Sequence, residues 1–234
     1  SFSHSSLFAA NSVEQCLEKI NTRLSAATTF LQSAGFLLIT FGTAWVYENK
    51  ESGGVVSNCH KLPAGRFLRR RLSVEEIVSD YSDLITKLQL LYPTIQLVFS
   101  VSPIRHWKDG AHENNISKSV LLMAIDSLQK QFEKVDYFPA YEIQLDELRD
   151  YRFYAPDMLH PSEVAVDYIW SQFAGTYFDD KTICMKKELE QLRNDMSHRP
   201  MFPDSDEYRK FQQHIDKKRW ELEQKYPFLK GRIS

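Results

Sequence analysis

The chain has 234 residues, with 29 basic and 31 acidic side chains and a formal net charge of −2. That length is enough for one α/β domain with a full core and a helical appendage. The near balance of charge excludes a general electrostatic attraction to nucleic acid or to a membrane surface. No apolar run reaches the roughly 18 residues of a membrane span. Cys16, Cys59 and Cys184 are too few, and lack the CxxC spacing, for a disulfide framework. A reducing compartment, the cytoplasm, is the default expectation, and the compartment is otherwise open. Ser1 to Ala10 lacks the basic start of a signal peptide. The absence of an initiating Met leads us to expect that the natural N-terminus lies upstream.

In chain order, residues 12–33 read as an amphipathic helix. Ser12 is its cap, Val13, Leu17, Ile20, Leu24, Ala27 and Leu31 lie on one stripe, and Gly35 is its stop. Phe36 to Phe41 is short, apolar and non-alternating, the pattern of a parallel strand buried on both faces, and Gly42-Thr43 ends it. Residues 45–72 look irregular, with a hairpin where Gly53-Gly54 separates Tyr47 from Val55-Val56. The basic run Arg66, Arg69, Arg70 and Arg71 reads as a solvated helix edge, with an anion site as the alternative. Ser73 and Glu76 form a capping box for a helix from 74 to about 91. Strands follow at Ile95–Val101 and Val135–Phe138, with a helix between them at Ser117–Phe132. A last helix spans Ser162–Phe173, with Pro161 at its first turn. The alternation of helices and strands predicts a parallel sheet covered on both faces. Residues 1–178 are thus one α/β domain. Residues 179–234 are polar, with two helices separated by His198-Arg199-Pro200 and Pro203. They form an extension packing on that domain or on a second copy of the chain, so a homo-oligomer through these helices is an option.

In open parallel sheets, sites gather beyond the carboxyl ends of the strands. Polar residues stand at each such end. They are Gly42 and Thr43, then Ser102 to His106, then Tyr141 and Glu142, and finally Asp157 and His160 ahead of the last helix. A general base needs an imidazole whose far nitrogen is held by a carboxylate, and an Asp three residues before a His can supply that. His160 near a helix start would also be kept neutral by the positive helix end. The competing reading is a structural cap with a surface histidine.

Other segments remain open between functions. Asn58 or His60 could donate to a developing oxyanion. Cys59 with His60 could bind metal, or the loop could simply bond its own backbone. Arg105 could take a carboxylate or sugar group, or pair with Asp109 or Glu142. Cys59 as a nucleophile lacks a strained strand-to-helix turn around it. A metal site through His60, His106 and His160 is a further alternative. Tyr137, Phe138, Tyr141, Tyr151, Phe153 and Tyr154 read as core and rim packing before they read as a sugar cleft.

Four stretches together resemble the GSCFA domain family, which is similar to a branch of the SGNH or GDSL-type hydrolases. They are Leu38 to Ala44, Asn58-Cys59-His60-Lys61-Leu62-Pro63, Val101 to His106, and Asp157-Met158-Leu159-His160-Pro161-Ser162. The resemblance covers roughly residues 1–180. It implies a three-layer α/β/α, flavodoxin-like fold and a serine-hydrolase-like site without cofactor or metal. Asp157 would orient His160, and His160 would act as general base. Gly42 and Thr43 match the start of the Gly-x-Asn-Asp block, with Ala44 where that block has its oxyanion Asn. Gly42, Thr43, Asn58, His60, Arg105 and His106 would then bind substrate or oxyanion. The Gly-Ser-Cys-Phe-Ala motif that names the family does not occur in this chain, so the nucleophile and one central strand are expected upstream. The implied function is an ester hydrolase or acyl transferase acting on a small-molecule or glycan ester. The alternative is a non-catalytic carbohydrate- or partner-binding module on the same scaffold.

Overall fold

A computed structural model describes residues 2–197 and 205–233. The chain divides into two compact units, Ser1–Ile169 and Trp170–Ser234. The first unit begins with α1 (Val13–Leu31), where Ser12 Oγ accepts from the Gln15 amide. It is followed by β1 (Phe36–Phe41), β2 (Trp45–Asn49), β3 (Val55–Val56) and β4 (Phe67–Arg71). Then come α2 (Val74–Leu91), β5 (Gln96–Val101), α3 (Gly110–Gln131) and β6 (Val135–Phe138). A short α4 (Ala140–Glu142) runs into a π-helical turn at Ile143–Glu147, and α5 spans Glu163–Tyr177.

The fold is α/β, as the alternation of elements predicts. A parallel sheet in the order β1-β5-β6 is flanked by helices. Leu97, Phe99 and Val101 of β5 project into one core with Ile77 and Ile85 of α2 and Leu121, Ile125 and Leu128 of α3. Each of these side chains is nearly or fully removed from water, and burial of this kind drives the layer together. The capping box on α2 is present, with Ser73 Oγ accepting from the Glu76 amide and the Glu76 carboxylate accepting from the Ser73 amide.

Five expectations are corrected. Among the described residues β1 pairs with β5 alone, and Phe36, Leu38 and Thr40 are exposed rather than buried. The stripe on α1 is not a core face either, since Val13, Leu17, Leu24 and Ala27 are exposed and only Ile20 and Leu31 are half-buried. Residues 45–72 are less irregular than their composition implies. The Gly53-Gly54 hairpin forms as expected, and β4 adds a third strand to make an antiparallel sheet in the order β3-β2-β4. The arginine run therefore lies on a strand and not on a helix. Its charges are paired across the fold: Arg69 with Asp109 at 2.7 Å, Arg70 with Glu48 and Glu76, and Arg71 with Glu113. Three consecutive arginines conceal a strand because its stability comes from cross-strand partners and not from apolar alternation. Finally, α3 begins at Gly110, seven residues before the expected start.

The second unit contains α6 (Asp180–Ser197) and α7 (Asp206–Lys225), the two helices expected there. They share an apolar seam of Leu192, Ile215 and Leu222, bordered by ion pairs Lys218–Asp195 at 2.8 Å and Lys225–Glu188 at 2.6 Å. The expected separator, His198-Arg199-Pro200 and Pro203, lies outside the described residues. Among the described residues no helix is long and apolar enough to cross a membrane.

Candidate functional site

Asp157 and His160 meet within one tight turn. His160 Nδ1 is 2.5 Å from Asp157 Oδ2. Asp157 Oδ1 accepts from the amides of Leu159 at 2.9 Å and His160 at 3.0 Å. The two amides, followed by the imidazole, hold the carboxyl well below its ordinary value, down to about 2. Met158, at the centre of the turn, has φ 62°, the left-handed region that side chains seldom enter. The turn is closed behind by Ala155 N donating to His160 O at 2.8 Å and by a bridge between Tyr154 and Pro161. These bonds fix the tautomer chemistry: Nδ1 faces a carboxylate, so neutral His160 carries its proton there and leaves Nε2 as the basic atom. Nε2 has no hydrogen-bond partner among the described residues, and both side chains are about half exposed. The helix-end argument does not hold in its expected form. The start of α5 is capped by Ser162, whose Oγ accepts from the Ala165 amide at 3.4 Å, two residues beyond His160.

The ends of β1 and β5 are tied together by one face of α3. Lys118 is fully buried, and its Nζ donates to the carbonyls of Gly42 and Ser102, each at 2.6 Å. Burial lowers its ammonium to about 8. The preceding residue, Ser117, accepts through Oγ from the Ala44 amide at 2.8 Å and bonds Thr43 Oγ1 at 3.0 Å. Asn114 Oδ1 accepts from the His106 amide at 2.9 Å. Because the Gly42–Thr43 peptide is trans, drawing the Gly42 carbonyl toward Lys118 turns the Thr43 N–H the opposite way. His106 lies over this point, with Nε2 3.6 Å from where a Cβ on Gly42 would stand, an ordinary contact distance. Burial, followed by the Lys118 charge, depresses the His106 pKa. Behind His106, the Asp109 carboxylate is held by Arg69, whose guanidinium lies 4.3 Å over the Trp45 ring.

Arg105 goes elsewhere. Asp109 is taken by Arg69, and Glu142 accepts from Tyr137 Oη at 2.7 Å, so neither expected carboxylate pairs with Arg105. Instead Arg105 lies 5.8 Å from the Tyr154 ring and lines a cavity of about 380 Å³ that reaches Met158 of the Asp157–His160 turn. Asn58 and His60 belong to a separate loop. Asn58 Oδ1 accepts from the His60 amide at 2.8 Å, the Asn58 amide donates to Phe2 O, and the His60 ring contacts the Phe2 ring. These bonds match the self-bonded loop among the alternatives for this segment. Ala44, where an oxyanion Asn was sought, is 1% exposed and belongs to the core. Among the described residues no three His, Cys, Asp or Glu side chains form a metal-binding group, so His60, His106 and His160 are not brought together. Cys16, Cys59 and Cys184 are free thiols. Of the aromatic run, Phe138 is buried and Tyr137 packs on the core, whereas Tyr151 and Tyr154 line the cavity.

Sequence reasoning missed Asn114, Ser117 and Lys118. A signal existed, since their i, i+3, i+4 spacing puts three polar residues on one helical face. Starting α3 at Ser117 cut that stripe in two. Arg149, another cavity residue, was also missed, and nothing in its local sequence marks it.

The first unit is an α/β protein whose parallel sheet is flanked by helices, with polar residues following the carboxyl ends of its strands. The chain matches the GSCFA family over residues 1–173 and the C-terminal domain of GSCFA domain proteins over residues 189–232. It belongs to the GSCFA family. No curated protein and no solved structure matches it.

Proposed function

We propose that the first unit carries the base half of a hydrolytic or acyl-transfer site acting on ester bonds. The observation that carries this reading is the 2.5 Å contact between Asp157 and His160 Nδ1, with Nε2 left free of partners among the described residues. His160 Nε2 takes the proton from an attacking hydroxyl, thiol or water as the new bond to the acyl carbon forms. The imidazolium, balanced by Asp157, returns that proton to the departing alkoxide as the ester bond breaks. The Thr43 N–H, turned away from Lys118, is the candidate donor to the oxyanion in place of the missing Asn side chain. The test is turnover of p-nitrophenyl acetate and acetylated sugars by the protein as the cell makes it. His160→Ala should lower turnover by at least about 100-fold. Equal turnover by both proteins would sink the assignment.

A binding module on the same scaffold is the second reading, favoured by the core position of Ala44. A fluorophosphonate probe separates the two readings. Stoichiometric labelling that depends on His160 would count against the binding module.

A further inference from the structure

Two guanidinium groups share the cavity beside the Asp157–His160 turn, those of Arg105 and Arg149. Neither has a carboxylate within ion-pair distance among the described residues; Arg149 is exposed, whereas Arg105 is half-buried in a unit whose other half-buried arginines, Arg69, Arg70 and Arg71, are all paired. The third charged group on the wall is Asp150. Its Oδ1 accepts from the Arg152 amide at 3.0 Å, and its Oδ2 lies 3.8 Å from Arg152 Nε, so it is engaged by its own loop. Tyr151 and Tyr154 supply flat walls, and Arg105 lies toward the Tyr154 ring. A planar fork of donors suits an oxyanion taken edge-on, and a tyrosine face suits a sugar or aryl ring. Asp150 is met by Arg152, so Arg105 and Arg149 leave the wall net positive and suited to an oxyanion.

We propose that this cavity binds a carboxylate-bearing substrate, such as an acidic sugar, and holds it beside His160. The cavity and the base share one piece of backbone, because Met158 lines the cavity and Tyr154 is bridged to Pro161. The placement of this group as part of a substrate rests on the hydrolase reading of Asp157 and His160. The binding itself does not.

The experiment measures binding by NMR titration of p-nitrophenyl glucuronide, p-nitrophenyl glucoside and p-nitrophenyl phosphate to the unmodified protein. The glucuronide should bind at least about tenfold more tightly than the neutral glucoside, as expected for charge-assisted hydrogen bonds. That advantage should shrink at high salt and disappear in Arg105→Gln and in Arg149→Gln. Arg105→Lys should restore part of it, and circular dichroism of each variant checks folding. Equal affinity for glucuronide and glucoside, or an unchanged ratio in the two glutamine variants, would overturn the proposal. So would preferential binding of the phosphate. His160→Ala should bind the glucuronide as well as the wild type does. A turnover that ignores His160 together with an intact glucuronide preference would remove the hydrolase reading and leave the carboxylate site standing.

Discussion

Replacing Lys118 with Met probes the internal tie between β1 and β5. Methionine fills much the same volume without the ammonium, so the change removes two hydrogen bonds at 2.6 Å and leaves the Gly42 and Ser102 carbonyls in place. Those carbonyls are backbone and cannot be removed with their partner. An orphaned buried acceptor costs about 1–3 kcal/mol, so two of them cost about 2–6 kcal/mol. Burying the ammonium itself has a desolvation cost that the variant escapes, and this offsets part of the loss. A net destabilisation of about 2–4 kcal/mol follows. Urea denaturation read by tryptophan fluorescence measures it, since Trp45 and Trp107 both belong to this unit. A variant within about 0.5 kcal/mol of the wild type would refute the reasoning, because the carbonyls would then be satisfied without Lys118. The pH dependence adds a second check. The folded pKa of about 8 lies below the ordinary 10.5, so the unfolded chain holds this proton more tightly. The wild type should therefore gain stability relative to Lys118→Met as the pH rises from 8 toward 10.5.

Two titrations follow from the same geometry. His106 should lose its proton below the ordinary 6.5, and Lys118→Met should move its midpoint back toward that value by removing a neighbouring cation, as read by NMR of the ring protons. Since the unfolded chain takes this proton first, the His106 contribution to stability falls as the pH drops below 6.5. Asp157 should titrate near 2, and a carboxyl carbon midpoint near 4 would show that the Leu159 and His160 amides do not hold it. Its contribution to the turn is full above pH 3.8 and is lost as the pH falls through about 2.

The parts of the fold that were legible from the residues are those in which local chemistry and tertiary role agree. The Ser73–Glu76 box marks the start of α2, and the largely apolar β5 and the short Val135–Phe138 segment mark the parallel sheet. The Asp157–His160 contact was readable because three residues of chain suffice to close it. What was not readable depends on distant partners. Arg69, Arg70 and Arg71 form a strand because Asp109, Glu48, Glu76 and Glu113 meet them from elsewhere in the chain. Lys118 would be costly inside a protein unless two carbonyls converge on it, and its own helix says nothing of their approach. Nothing in the sequence around Arg105 reveals that Asp109 and Glu142 already have partners in Arg69 and Tyr137.

The position of β1 in the sheet has a consequence for biosynthesis. Its Phe36 pairs with Gln96, so this hydrogen-bonded neighbour emerges 60 residues later in the chain. At about 5–20 residues per second, β1 waits about 3–12 s for that neighbour. The β2–β4 ladder closes over a much shorter span in the meantime. Throughout that interval Phe36-Leu37-Leu38-Ile39-Thr40-Phe41 is an uncharged, β-prone segment without proline, the composition that seeds intermolecular strand pairing. Charged substitution at exposed Leu38 would protect the nascent chain without emptying the core, whereas the same change at Ile39, packed against that core, would not.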